Sequence, residues 1–248
     1  LLSNTSFKNL YVAPAGHDAG TAIGGALWFY HHILGNPRQS SMQHSYFGSQ
    51  FTEKEVLLAL DNTQFKFQIY DQATLDNLVV DNIINGGVVG WFQGRAEFGP
   101  RALGNRSIIA DPTREDAKEL LNLKIKRREK FRPFAPSILE EHVSEYFEQS
   151  LGSPFMERVL KIKHSKRSIL KAVTHVDGSG RLHTVSKETN LRYYSLIHAF
   201  YKKTGVPILL NTSFNENEPI VNSPDEALAC FARTNMDILV MGNVLVTK

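Results

Sequence analysis

Cysteine is almost absent from this 248-residue chain: Cys230 is the single one, so no internal disulfide can form and no cysteine-based zinc site can be assembled. It sits in the apolar run Ala227-Leu228-Ala229-Cys230-Phe231-Ala232, where a small buried side chain is expected rather than a nucleophile. Long hydrophobic runs are missing too. No stretch is apolar enough to span a bilayer and no signal peptide precedes the first polar residues, so membrane association is not expected and the reading is cytoplasmic. Charge of one sign is scarce: 28 basic against 25 acidic residues give +3, too little for a nucleic-acid footprint but compatible with a phosphate-bearing ligand. Low-complexity tracts and internal repeats are also lacking, and 42% hydrophobic residues suffice for a packed core.

Mixed α/β structure is expected from the patterning. Thr52-Glu53-Lys54-Glu55 opens a helix with a side-chain cap, and Phe65 to Tyr70 alternates as a strand does. Further helices are expected over 75–85, from the Thr113–Asp116 cap toward Ile125, over 191–203 and over 224–233. Further strands are expected over 87–92, 172–176, 208–211 and 238–241. Upstream, Asn9–Val12 is a short strand candidate, and a small-residue helix follows from Thr21 to Ile33. Residues 35–50 lack periodicity and read as an interdomain linker, dividing the chain into units 1–45 and 46–248.

Four polar constellations carry the chemistry. In Gly94 to Ser107, Arg95, Arg101 and Arg106 share fourteen residues with Glu97, three glycines and Pro100, directly after an apolar strand. Arginine forks match phosphate oxygens, and glycine lets the backbone approach a ligand. Glu97 can alternatively pair with Arg95 or Arg101 and only shape the loop. In the second cluster, Lys130 and Arg132 flank Phe131 in an extended segment ahead of Pro133 and Pro136. Residues two apart point to one side there, so both cations reach one ligand while Phe131 anchors in the core. Lys126 and Arg127 read as a solvated helix face. The third constellation, Asn211-Thr212-Ser213-Phe214-Asn215, ends an apolar strand in hydrogen-bonding side chains, where ligands of α/β sheets sit. The fourth runs from Thr174 to Val185, where a turn signal at Asp177-Gly178 draws His175, Arg181 and Thr184 together.

These motifs, from about Val56 to Lys248, resemble the C-terminal half of the O-carbamoyltransferases of the NodU/CmcH type, a YrdC-like domain whose signature is Lys-x-Arg followed by Ser-x-Asn, here Lys130, Arg132, Ser213 and Asn215. Residues 1–45 are similar to the end of the Kae1-like domain of the same enzymes, an actin/Hsp70-type fold. The resemblance implies an α/β fold and a chain that is part of a longer enzyme. It also implies ATP, carbamoyl phosphate and Mg as ligands, and a carbamoyl adenylate that the Kae1-like domain uses to carbamoylate a hydroxyl. Lys130, Arg132, Ser213 and Asn215 would be its catalytic residues. Arg95, Arg101, Arg106, His175, Arg181, Thr184, Asn211 and Thr212 would bind substrate or nucleotide. Iron belongs to the Kae1-like domain; Asp18, in Gly16-His17-Asp18-Ala19-Gly20, matches its aspartate, but no His-x-x-x-His occurs in the chain, so Asp18 alone is not expected to hold metal tightly. Family members often carry glutamine at the position of His183 and glycine at that of Asn217. The implied partners are small molecules and the upstream domain, not nucleic acid or membrane, and a homodimer is left open. A threonylcarbamoyl-adenylate domain for tRNA modification and an RNA-binding module are the rival readings.

Overall fold

The computed structural model describes residues 4–129 and 131–248. Among them nine strands form one mixed sheet: β1 (Lys66–Ile69), β2 (Val89–Phe92), β3 (Arg106–Ala110), β4 (Ala135–Leu139), β5 (Arg158–Lys161), β6 (Ser179–Val185), β7 (Ile208–Ser213), β8 (Ile238–Met241) and β9 (Val244–Thr247). The spatial order is β1-β9-β8-β2-β3-β7-β4-β6-β5, with β2–β8 and β4–β6 parallel and the other pairs antiparallel. Every residue of β2, β3, β4 and β8 is buried, as expected when both faces of a sheet are covered, whereas β1 is exposed along its length at one edge.

The helices, in chain order, are α1 (Gly20–Trp28), α2 (Glu53–Asp61), α3 (Gln72–Ile84), α4 (Ala117–Leu120), α5 (Val143–Tyr146), α6 (His164–Arg167), α7 (Leu191–Thr204) and α8 (Pro224–Arg233). A π-helical turn extends α1 to Ile33 and another extends α4 to Ile125. The long helices start where side chains satisfy their first amide groups. Thr52 with Glu55, and Ser223 with Glu226, form reciprocal capping boxes, while Asp71 and Asn190 accept from Thr74 N and Tyr193 N. Gly205 ends α7 at φ 74°, a left-handed conformation that glycine adopts freely. Helices α3 and α7 pack on each other and against the sheet, and α2 packs on α8, which lies against β2 and β8.

Three expectations give way to the structure. Residues 172–176 are not a strand: a turn occupies this stretch, and the extended run begins at Ser179 on β6, where backbone pairing with β4 and β5 is available. Residues 9–12 likewise form no strand. The stretch read as a linker ends in an extended strap, for Phe98 N donates to Ser45 O (2.7 Å), Gly48 N to Ala96 O (2.9 Å) and Ala96 N to Ser49 O (2.8 Å). Its polar side chains hid that order because the pairing is made by backbone atoms. Helix α1 has no buried residue: its Leu27 and Trp28 are exposed, as are Phe29 and Ile33 in the turn that extends it. Among the described residues no helix is long and apolar enough to cross a membrane.

The loop from β2 to β3 depends on Gly104, which has φ 98° and lies so close to Tyr193 that an added Cβ would fall 2.2 Å from its ring. Gly104→Ala should therefore destabilise the fold by about 2–4 kcal/mol, from overpacking and a disfavoured backbone together, read as a fall in thermal midpoint. An unchanged midpoint would mean that the ring moves aside without loss.

Candidate functional site

The central strands end together. Pairing of β3 with β7 sets Ser107 against Ser213 and Ile109 against Asn211, and pairing of β7 with β4 sets Asn211 against Ala135. A cleft of about 140 Å³ opens at this end, walled by Pro100–Ala102, Arg128, Pro133–Ala135, Met156, His175, Arg181 and Asn211–Ser213. Among the described residues, three that bear guanidinium groups line it and no carboxylate does. Burial and the neighbouring Arg181 both push the Arg101 guanidinium below its ordinary range, so the two cations lie close enough to repel. Neither has an ion-pair partner among the described residues. Arg128 lies over the Phe134 ring at 5.0 Å and donates from Nε to Asn122 Oδ1 (2.7 Å). Like-charged groups held together without a counter-ion make a site for an anion with several oxygens.

The arginine loop separates its three cations by role. Arg101 enters the cleft. Arg106 is buried and donates to the carbonyls of Gln93 (2.6 Å), Asn105 (3.0 Å), Gly94 (3.3 Å) and Ser49 (3.3 Å), with its guanidinium 3.6 Å over Phe92. Burial lowers its pKa to about 10, and both terminal nitrogens donate to the backbone while Nε stays buried without a partner, so it holds the loop. Arg95 is outside the cleft and donates to Gly48 O (3.1 Å) on the strap. Glu97 does not serve as an ion-pair brace for Arg95 or Arg101. Its Oε1 accepts from the amides of Leu103 (2.6 Å), Asn105 (2.8 Å) and Arg106 (3.3 Å), although burial pushes its carboxyl above the usual range.

The second basic cluster is arranged differently from the sequence-based expectation. Lys130 lies outside the described residues. Arg132 pairs with Glu129 at 2.8 Å, half-exposed and off the cleft wall, and Phe131 is 75% exposed instead of anchored in the core; Phe134 is the buried aromatic. Lys126, expected on a solvated face, is 2% exposed, and Nζ donates to Ser213 O (2.6 Å), Asn215 O (2.7 Å) and Asn215 Oδ1 (2.7 Å). Ser213 Oγ in turn donates to Asn215 Oδ1 (2.7 Å). Burial pushes Lys126 down to about 7, while the ring of oxygens around Nζ favours its retaining the proton. Lys126 thus braces Ser213 and Asn215 from behind, and Arg128 lines the cleft. The available signal was spacing, since Lys126-Arg127-Arg128 is itself a Lys-x-Arg run.

The remaining residues divide cleanly. His175, Arg181, Asn211, Thr212 and Ser213 line the cleft. Asn215 stands behind it, tied to Lys126 and Glu218 O. Thr184 is buried elsewhere, its Oγ1 accepting from Ser153 N (2.9 Å). His183 is fully enclosed, bonds through Nδ1 to Ser137 Oγ (2.8 Å), and is held down to about 3 by burial. Asp18 sits in an exposed turn, and among the described residues no three His, Cys, Asp or Glu side chains are grouped to hold a metal, so the residues present do not fit an iron centre.

Residues 80–248 match a family model described as Carbamoyltransferase C-terminus. The chain is 46% identical to Nodulation protein NolO of Bradyrhizobium diazoefficiens, aligned over 100% of its own length and 46% of that protein. It is 45% identical to Nodulation protein NolNO of Sinorhizobium fredii, over 100% of itself and 37% of the relative. With 3'-hydroxymethylcephem-O-carbamoyltransferase of Amycolatopsis lactamdurans it shares 35% identity over 94% of this chain and 43% of that one. The chain therefore spans less than half the length of these relatives.

His183 generates a pH prediction. The unfolded chain takes up a proton near 6.5 that the folded imidazole refuses until about 3, so stability falls as pH drops through that window, by up to about 1.4 kcal/mol per pH unit. His183→Gln, which keeps an acceptor for Ser137, should flatten this slope in denaturant melts taken at stepped pH. An unaltered slope would show that other groups govern acid sensitivity.

Proposed function

The chain belongs to the carbamoyltransferase C-terminal family, and from that premise we propose that its cleft activates a carbamoyl group at the expense of ATP. In this reading carbamoyl phosphate gives up phosphate to water, and an oxygen of the resulting carbamate attacks the α-phosphorus of ATP. The Pα–O bond to the β-phosphate breaks, pyrophosphate leaves with the electron pair, and carbamoyl adenylate remains. The rest of a longer enzyme, with a Kae1-like domain, would then pass the carbamoyl group to an acceptor hydroxyl.

One observation carries the proposal: Arg101, Arg128 and Arg181 converge on a cleft with no carboxylate among the described residues of its wall. Both substrates bring oxyanions, and negative charge migrates between phosphoryl oxygens as bonds break. Fixed guanidinium donors stabilise that charge with little reorganisation. Thr212 adds a hydroxyl donor at the strand end, and Lys126 holds Ser213 and Asn215 in place from behind. Arg132 adjoins Pro133 of the cleft wall and can serve the mouth of the site. With no carboxylate among the described residues of the wall, Mg would be held chiefly by phosphate oxygens.

Pyrophosphate release from ATP provides the test. The unmodified chain should release it only when carbamoyl phosphate is present, and Arg101→Ala or Arg128→Ala should each lower kcat/KM by about 100-fold. Arg106→Ala should instead lower the thermal midpoint, because its donors hold the loop. Release that is indifferent to carbamoyl phosphate, or to loss of Arg101, would refute the assignment.

A further inference from the structure

The cleft wall also contains acceptors without donors. Asn211 is 1% exposed, and its Nδ2 donates to Ala102 O (3.1 Å) and Ser137 Oγ (3.0 Å). A carbonyl oxygen can only accept, so Ala102 fixes which end of the amide is nitrogen. Ser137 Oγ, receiving that bond, can direct its own hydrogen at the neutral His183 Nδ1. Asn211 Oδ1 is thereby turned away from both partners, and it is buried without a hydrogen-bond donor.

His175 is oriented in the same manner from another element. Ser179 Oγ donates to Asp177 Oδ1 (2.6 Å), because a carboxylate only accepts. The hydroxyl oxygen must then receive the 3.0 Å bond from His175, which places the ring hydrogen on Nδ1 and leaves Nε2 as a bare acceptor. Nε2 too is buried and has no partner. Both residues line the cleft that Arg101, Arg128 and Arg181 fill with donors. Leaving a buried acceptor unpaired is costly, and two beside one cleft are explained most simply by a ligand that brings N–H groups along with its anionic oxygens.

We propose that Asn211 Oδ1 and His175 Nε2 recognise the amino group of the carbamoyl moiety and so select carbamoyl phosphate over acyl phosphates of the same shape. This rests on the anion-cleft reading above and adds to it a determinant of specificity. Guanidinium groups cannot make the distinction, since they meet the same phosphate in either compound. Asn211 and His175 can, because the methyl group of acetyl phosphate has no hydrogen to donate to them. Ser179 and Ser137 act as positioning residues that hold the two acceptors in register.

Calorimetric titration of this chain with carbamoyl phosphate, acetyl phosphate and inorganic phosphate separates the possibilities. Carbamoyl phosphate should bind at least about tenfold more tightly than acetyl phosphate, the ratio expected when a buried acceptor is left unpaired. Asn211→Leu, close in volume and without an acceptor, should bring the ratio near one while inorganic phosphate binds as before. Ser179→Ala, which lies behind the cleft wall and frees the His175 tautomer, should lower the ratio in a chain with an unaltered thermal midpoint, and so gives a reading even where the Asn211 variant fails to fold. Equal affinity for the two acyl phosphates in the unmodified chain, with inorganic phosphate still bound, would overturn this inference alone. Absence of binding for all three would overturn the anion-cleft reading together with it.

Discussion

The antiparallel pairing of β3 with β7 is the constraint on which the site depends, because it sets three remote stretches of chain side by side. Ser107 faces Ser213 and Ile109 faces Asn211 across this ladder, so the end of the arginine loop and the polar end of β7 share one edge of the sheet. β4 then pairs with β7 on its other side and carries Ala135 to Asn211, which brings the proline-bounded segment after Arg128 to the same edge. A one-residue slip would turn Asn211 and Ser213 to the opposite face and separate them from Arg101. Complete burial of β3 and β4 makes such a slip expensive, since it would reverse every apolar side chain on both strands.

Around that edge the protein spends its charged groups in two ways. Some are consumed inward. Arg106 satisfies backbone carbonyls, Glu97 satisfies backbone amides, and Lys126 satisfies the oxygens of Ser213 and Asn215. These are buried and bonded to the protein's own backbone and side chains, and they give the loop and strand ends one conformation. Others are left unspent. Arg101 and Arg181 have no counter-ion among the described residues, and Asn211 Oδ1 and His175 Nε2 have no donor. Internally bonded groups stiffen the walls and unpaired ones face a ligand with matching chemistry, which is how a preorganised site avoids reorganisation when charge develops.

Much of the fold was legible along the chain. Helix α8 runs over the expected residues 224–233, and β8 over the span of its apolar run. α2 begins at the Thr52 cap read from the sequence and α7 at the expected residue 191, whereas α3 starts at Gln72, three residues ahead of the expected 75, behind an Asp71 cap. β3, β4, β5, β6 and β9 were not read from the sequence, and β3 and β4 reach β7 only across long stretches of chain. The candidate site was legible as a set of clusters but not as an arrangement. His175, Arg181 and the Asn211–Ser213 run meet Arg101 in one cleft, whereas Arg95 and Arg106 of the same loop do not.

The sequence by itself determined the classes of side chain available and the local elements that carry them. Capping, alternation and composition act over a few residues, and one cysteine with a nearly balanced charge excludes whole chemistries without reference to a fold. Only the tertiary structure decided which cations stay free. Arg101 and Arg106 stand five residues apart in one motif with the same chemistry, yet burial among carbonyls occupies one and the cleft exposes the other. Lys126 was indistinguishable from a solvated lysine until β7 laid Ser213 and Asn215 against it. Desolvation and partner geometry are properties of three-dimensional neighbours, and for these groups the neighbours come from strands far apart in the chain.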